Sequence, residues 1–322
     1  MSANVSRRAV LGGAAGLINL AGCSRRPRPG EEPHVSITRA GSYDQGLFDN
    51  FRRILAEHRI EARGKHVVLK PNLVEFDPGA AINTHPMLVH ATLEAFKALG
   101  AAEVRIAEGP GHRRPTLDLA DAAGYFAALP GFEQIFTDLN LDEVSRVELA
   151  GNESRLKSLY LPRTVLRCDL LVSMPKLKTH HWVGATLAMK NLFGLVPGAV
   201  YGWPKNVLHW AGIDECIVDM NATFPRTFAI VDGIEGMEGN GPIQGKSKFA
   251  GVIVAGSDLP AVDATCCRIM GFDPEKIRYL TLASLSGQTQ EANVRQVGES
   301  IHSVRTRFSV IREFRHIYLQ ET

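Results

Sequence analysis

The chemistry-bearing residues of this chain gather in four stretches, each directly after an apolar run. The densest is Met174-Pro-Lys176-Leu-Lys178-Thr-His180-His181-Trp182, which leads into Gly184-Ala-Thr186 and Lys190-Asn191. In extended chain alternate residues share a face, so Lys176, Lys178 and His180 point the same way. The stretch 184–193 has helical spacing and could return Thr186, Lys190 and Asn191 to the same cleft. Three lysines and an imidazole at a strand end call for an anionic partner, either a substrate phosphate or carboxylate or a carboxylate of the protein. His180 is the candidate general acid–base, because an unperturbed imidazole titrates near neutrality. Lys178 is a second catalytic candidate and a further holder of the anion. A solvated basic loop, with His181 and Trp182 packing, is the plain alternative.

The other three stretches add ligands of both signs. Lys70-Pro71-Asn72 follows the apolar run 66–70, so Lys70 would project from the sheet rim with the Asn72 amide beside it. A surface lysine before a proline turn reads equally simply. Glu108-Gly-Pro-Gly-His112-Arg-Arg114 offers glycines and basic side chains to an anion. Pro110 removes a donor, however, and a plain turn between strand and helix fits as well. Asp232-Gly-Ile-Glu235-Gly-Met-Glu238-Gly-Asn240-Gly-Pro242 is rich in glycine and reads as a loop. Such a loop could wrap Asp232, Glu235, Glu238 and the Asn240 amide around a hard cation, Mg²⁺, Mn²⁺ or Ca²⁺. The alternative is a lid whose acids pair with the lysines.

The elements that must position these residues alternate in type. Runs at 35–37, 66–70, 102–107, 169–173, 226–231 and 251–255 read as strands. Stretches 44–57, 86–99, 116–128, 184–193, 206–221, 259–270 and 274–286 read as helices. That alternation predicts an α/β fold: a largely parallel sheet flanked by helices, in a single large domain over 34–322. Ligands of such sheets gather at the carboxyl ends of the strands, where the four stretches fall. The tail beyond 288 would add an antiparallel strand or a terminal helix. Asp263, near the start of the 259–270 helix, reads as a stabiliser of that helix terminus.

With 45% hydrophobic residues among 322, the chain can bury a real core, which excludes a disordered scaffold. Its net charge of +2 comes from Arg7 and Arg8 in a leader without acids; the rest is balanced, arguing against a nucleic-acid partner. Residues 1–22 read as an export signal, with Arg7-Arg8 similar to a twin-arginine leader and Leu20-Ala-Gly-Cys23 to a lipobox. Cys23 would then be lipidated, with 23–33 as a tether. The only membrane contact would be the lipid, and the protein would be periplasmic or membrane-anchored. Cys168, Cys216, Cys266 and Cys267 form no Cys-x-x-Cys pair, so no iron–sulfur cluster is expected. Adjacent Cys266 and Cys267 read as buried thiols.

Lys70-Pro-Asn, Pro175-Lys-Leu-Lys-Thr-His180, Thr186-Leu-Ala-Met-Lys190-Asn-Leu-Phe-Gly194, Asp232 to Pro242 and Ala261-Val-Asp-Ala264 together resemble the domain of unknown function 362 family, over roughly residues 35–285. The resemblance implies an α/β fold and often export. It implies no reaction, and this chain lacks the ferredoxin-like cysteine clusters of some relatives. The expectation is metal-assisted chemistry on a small anionic substrate: Asp232, Glu235, Glu238 and Asn240 hold the cation, Lys70, Asn72, Lys176, Lys178, Lys190 and Asn191 the anion, and His180 moves the proton. The rivals are a binding lipoprotein without catalysis and an accessory protein handling a metal or cofactor for an envelope redox enzyme.

Overall fold

The computed structural model describes residues 32–285 and 287–320. The export leader, Cys23 and the tether up to residue 31 lie outside the described residues. The strands are β1 (His34–Arg39), β2 (His66–Pro71), β3 (Glu103–Glu108), β4 (Phe136–Asp138), β5 (Val144–Glu148), β6 (Ser158–Pro162), β7 (Leu170–Met174), β8 (Lys176–His180), β9 (Gly184–Thr186), β10 (Thr227–Glu238), β11 (Lys246–Gly256) and β12 (Arg295–Gly298). Among the described residues ten of them form one sheet in the order β12-β1-β11-β10-β7-β2-β3-β4, with β8 on β10 and β9 on β8. The run from β10 through β7, β2 and β3 to β4 is parallel throughout. β11 is antiparallel to both of its neighbours, β1 and β10. β5 and β6 form a separate antiparallel pair.

Apolar side chains fill both sides of this sheet, as a parallel sheet covered by helices requires. One core packs helices Gly46–Glu57, Pro86–Ala98 and Thr116–Ala122 through Phe51, Leu88, Phe96 and Leu119. The other packs helices Ile213–Thr223, Leu259–Ile269 and Arg278–Ala283 through Ile217, Val262, Cys266 and Leu280. Cys168, Cys216, Cys266 and Cys267 are buried free thiols. No helix among the described residues is long and apolar enough to cross a membrane.

Several expected helices are shorter, and glycine is the usual reason. Gly124 at φ +82° breaks 116–128, and Gly212 at φ +108° breaks 206–221 into Val207–Trp210 and Ile213–Thr223. The stretch 274–286 is a 3₁₀ turn, Pro274–Lys276, followed by helix Arg278–Ala283. The expected 184–193 helix is strand β9, then helix Ala188–Asn191 and a 3₁₀ turn Leu192–Leu195. Gly184 turns the chain at φ +80° so that β9 can pair back on β8. The tail strand β12 runs parallel to β1, not antiparallel to it. β11 ends beside the start of β1, and β12 begins at that same end.

The largest departure is the glycine-rich segment after Asp232. It is the second half of the long strand β10, with a bulge between Gly233 and Glu235. Its glycines serve close packing across the sheet. A Cβ at Gly233 would sit 2.9 Å from the Val252 carbonyl oxygen and 3.0 Å from Leu177 Cδ2, and one at Gly236 would overlap the Leu177 carbonyl oxygen. β8 can therefore lie directly against β10, which the lysine-rich stretch needs to enter the sheet.

Candidate functional site

β2 and β3 are parallel neighbours, and their last residues carry the first charged pair. Lys70 is 1% exposed, with its Nζ 2.5 Å from Glu108 Oε2. The same Nζ donates to Asn191 Oδ1 (3.1 Å) and the Pro71 carbonyl (3.2 Å). Asn191 donates in turn to the Lys70 carbonyl and Ser173 Oγ, each at 3.1 Å, which locks the helix after β9 against β2 and β7. The second Glu108 oxygen accepts the Gly109 N–H at 2.8 Å. Gly194 closes the pair: a Cβ there would lie 2.6 Å from Lys70 Nζ and overlap Glu108 Oε1. Burial pulls the Lys70 amine down, and the Glu108 carboxylate opposes that pull.

The second pair bridges β8 and β10, where Lys176 stands opposite Asp232. Lys176 Nζ is 2.7 Å from Asp232 Oδ2, which also accepts the His85 N–H at 2.9 Å. Tyr43 donates its hydroxyl to Asp232 Oδ1 at 2.7 Å and accepts from Lys176 Nζ at 3.1 Å. Its ring stacks on His85, with centroids 3.7 Å apart. Burial and Asp232 push the Tyr43 hydroxyl far up, so it remains a proton donor. Replacing such a pair with apolar groups changes stability little, whereas losing one partner costs about 3–5 kcal/mol.

Three further lysines lack a carboxylate partner among the described residues. Lys178, fully buried, donates to the Ile82 carbonyl (2.9 Å) and the Pro242 carbonyl (3.2 Å). Lys205, held in left-handed backbone at φ +65°, donates to the Gly109 carbonyl at 2.5 Å. Lys190 Nζ makes no hydrogen bond or ion pair among the described residues and lies 4.0 Å from the centre of the Phe193 ring. Burial pulls all three amines down to about 7, with Lys176 and Lys70 repelling Lys178 and Lys190 respectively. A cation over a ring face gains only about 0.5–2 kcal/mol, so at Lys190 desolvation and Lys70 prevail. Asn72 Oδ1, Thr186 Oγ1, His209 Nδ1 and Asp214 Oδ1 are buried polar atoms without partners among the described residues, and His209 and Asp214 lie close enough to Lys190 to interact with its charge. Thr186 is opposite Lys178 across β8 and β9, so both side chains leave the same face.

Of the expected anion ligands, Lys70, Lys176, Lys178 and Lys190 lie close enough for their charges to interact, Asn191 touches Lys70, and Asn72 directly follows β2. Lys70 and Lys176 already hold carboxylates there, and Asn191 braces Lys70. His180 is at the same rim and buried, but burial and the Lys190 charge push its imidazole well below the usual range. It stays neutral at physiological pH, with Nδ1 accepting the Trp182 N–H at 3.0 Å, so titration near neutrality does not single it out as acid–base. Trp182 is 58% exposed and packs edge-on to His209 at 5.2 Å, so it is no core residue.

The expected cation ligands do not gather. Asp232 is spent on Lys176, Tyr43 and His85, and Glu235 is exposed beyond the bulge. Glu238 accepts the Ser309 N–H at 2.9 Å, and Asn240 donates to Gln244 at 2.9 Å. A strand sends these side chains in different directions, where a loop could have folded them around one point. Among the described residues no group of three or more His, Cys, Asp or Glu is arranged to hold a metal. The Glu108–Arg114 segment is no anion loop either, since Gly109 turns its carbonyl to Lys205 and His112 and Arg113 are exposed. Asp263 is fully buried and caps a different helix from its own, accepting Ala188 N–H (2.8 Å) and Met189 N–H (3.1 Å); Asp258 caps the helix that carries it. Tyr43, His85, Glu108, Lys205, His209 and Asp214 belong to the site without standing out in the sequence, except for Glu108 at a strand end.

The unpaired amines set a pH dependence. Lys178, Lys190 and Lys205 titrate at about 7 in the folded chain against an ordinary 10.5. Between those values the unfolded chain binds more protons, so stability rises with pH through this window. Buried cysteines, raised above their ordinary 9.0, oppose the trend above about pH 9. Urea midpoints are expected to climb from pH 7 to pH 9, with a shallower climb in Lys178→Met; a flat or falling series would refute this.

The chain is 29% identical over 257 residues, 76% of each protein, to thylakoid-associated protein sll1697 of Synechocystis. Among solved structures it is similar to the lactate racemase apoprotein of Thermoanaerobacterium thermosaccharolyticum, at 15% identity and a TM-score of 0.47. A protein of Thermotoga maritima matches at 11% identity and a TM-score of 0.37. These matches cover 74% and 71% of this chain but only 57% and 59% of the two solved chains. The family model described as domain of unknown function (DUF362) matches residues 67–268, which carry Lys70, Lys176, Lys178, Lys190 and Lys205, and the chain belongs to that family.

Proposed function

We propose that the cleft binds a small anionic molecule through a phosphate or carboxylate group, in a protein exported and held at the membrane by a lipid on Cys23. The observation that carries the reading is the surplus of lysine over carboxylate: Lys70 and Lys176 are neutralised by Glu108 and Asp232, while among the described residues Lys178 and Lys190 form no ion pair with a carboxylate. An anion between them would favour their charged forms and reverse the effect of burial. Thr186 and Asn72, both over nine-tenths buried with unpartnered oxygens, add polar contacts for the rest of the ligand. The two ion pairs keep the cleft shaped whether or not the anion is bound. The binding step requires no cation, so it does not depend on the ungathered carboxylates of β10.

Membrane attachment rests on Arg7-Arg8 and Leu20-Ala-Gly-Cys23. The name of the Synechocystis relative ties that protein to thylakoids, which supports attachment to a membrane here.

A ligand that binds only the folded chain stabilises it by about 2.7 kcal/mol at a hundred times its Kd. Thermal melts at constant ionic strength are therefore expected to rise with inorganic phosphate or acetate. The rise should vanish in Lys178→Met and Lys190→Met, whose folding circular dichroism would verify. A parent melting identically at every concentration of both anions would overturn the proposal. For the anchor, Cys23→Ala is expected to move the protein from the membrane to the soluble fraction. Unchanged fractionation, with no lipid mass on Cys23 in the parent, would refute it.

A further inference from the structure

We infer that Lys190 is a nucleophile, whose amine condenses with the carbonyl carbon of a small aldehyde or ketone that also carries a carboxylate or phosphate. The inference rests on the anion-binding reading of the cleft and names the substrate's second functional group. Its ground is the different fate of each lysine nitrogen. Lys70 holds Glu108, Lys176 holds Asp232 and Tyr43, Lys178 holds two carbonyls, and Lys205 holds the Gly109 carbonyl. Lys190 holds no oxygen among the described residues; its Nζ meets the ring face of Phe193, and the residue is only partly exposed. A nitrogen committed to oxygen acceptors uses its protons there, whereas an uncommitted one can offer its lone pair.

The backbone beneath Lys190 is fixed from two sides. Buried Asp263 accepts the N–H groups of Ala188 and Met189, and Asn191 is tied to the Lys70 carbonyl and Ser173. Facing the amine are the lysine amines of Lys70 and Lys178, the imidazoles His180 and His209, and the carboxyl of Asp214, and of these Lys70 lowers it most. Low polarity and neighbouring cations are two ways in which proteins keep a lysine amine neutral and nucleophilic. Here both apply, which is why this amine is pulled down to about 7. Asp214, itself pushed up to about 6 by burial, does not offset them.

The step balances without a further reactant. The Lys190 nitrogen lone pair forms the C–N bond, the C=O π pair moves to oxygen, and a nitrogen proton transfers to that oxygen. The resulting carbinolamine loses water, whose second proton is the remaining one on nitrogen, to leave the imine. With the substrate bound, Lys178 takes the anionic group and its proton, while Lys190 faces the carbonyl carbon and reacts as the neutral amine; an anion without a carbonyl is shared by both lysines and draws both into the protonated form.

The test uses glyoxylate, an aldehyde bearing a carboxylate, with cyanoborohydride to reduce the imine to a stable amine. Peptide mass spectrometry then follows labelling of Lys190 against exposed Lys97 in the same protein. At pH 7.5 Lys190 is expected to be labelled about tenfold faster or more, given an ordinary lysine pKa of about 10.4. Its rate should rise through pH 7, and Lys190→Arg should leave only slow surface labelling. Inorganic phosphate should slow labelling at Lys190 and leave Lys97 unaffected. Labelling of Lys190 no faster than Lys97, while phosphate still raises the melting temperature, would overturn the nucleophile and leave the anion cleft standing. Fast labelling indifferent to phosphate would support the nucleophile and count against the anion cleft. Slow labelling together with phosphate-independent melting would overturn both.

Discussion

Cationic nitrogen buried at the carboxyl ends of parallel strands is the constraint on which the rest of this structure depends. An ammonium taken from water must find oxygen, and the chain supplies it in three grades. Lys70 and Lys176 receive carboxylates, Lys178 and Lys205 receive backbone carbonyls, and Lys190, among the described residues, receives a ring face and no oxygen. Each grade leaves its amine further from full compensation. The two ion pairs form the frame, since breaking either would strand a charge in the interior. The carbonyl-bound and ring-bound amines are what the frame leaves for a ligand.

Much of the surrounding sequence makes sense as service to that frame. Gly194 is small because Lys70 and Glu108 pass through the space of its missing side chain. Gly233 and Gly236 let β8 lie against β10, and only in that register does Lys176 meet Asp232. Asn191, two residues after the Asp263-capped N–H groups, ties the Lys190 turn to the Lys70 carbonyl. A motif that looks in one dimension like a catalytic list is in three dimensions largely scaffold, with few side chains free to act.

Alternation of apolar runs and helical spacing was enough to read the parallel α/β sheet, because a buried strand and an amphipathic helix leave different periodicities. The same logic brings Lys70, Lys176, Lys178, His180 and Lys190 to one rim, since each stretch lies at or just past the end of an apolar run. It failed where glycine carries two meanings. In 232–242 glycine reads as loop, yet here it permits strand packing, and the difference lies in Leu177 and Val252, residues remote in sequence. Carboxylates near in sequence therefore read as a cation site, though their real partners, Lys176 for Asp232 and the Ser309 N–H for Glu238, come from other elements. The Lys70 counter-ion was hidden for the same reason: Glu108 is 38 residues away and joins only through the pairing of β2 with β3. Asp263 was read as serving its own helix because a cap across helices leaves no local signature.

Calorimetry of sulfate binding at pH 8, repeated in buffers of different ionisation enthalpy, separates the unpaired amines from the paired ones. Sulfate does not titrate in this range, so any proton exchanged belongs to the protein. Lys178 and Lys190, near 7 when the cleft is empty, should be driven back toward their ordinary 10.5 by the anion, so the complex takes up protons. The expected result is an uptake approaching one proton or more per sulfate, reduced in Lys178→Met and in Lys190→Met. Sulfate bound with no proton uptake, or with proton release, would contradict the assignment of these two lysines to the anion.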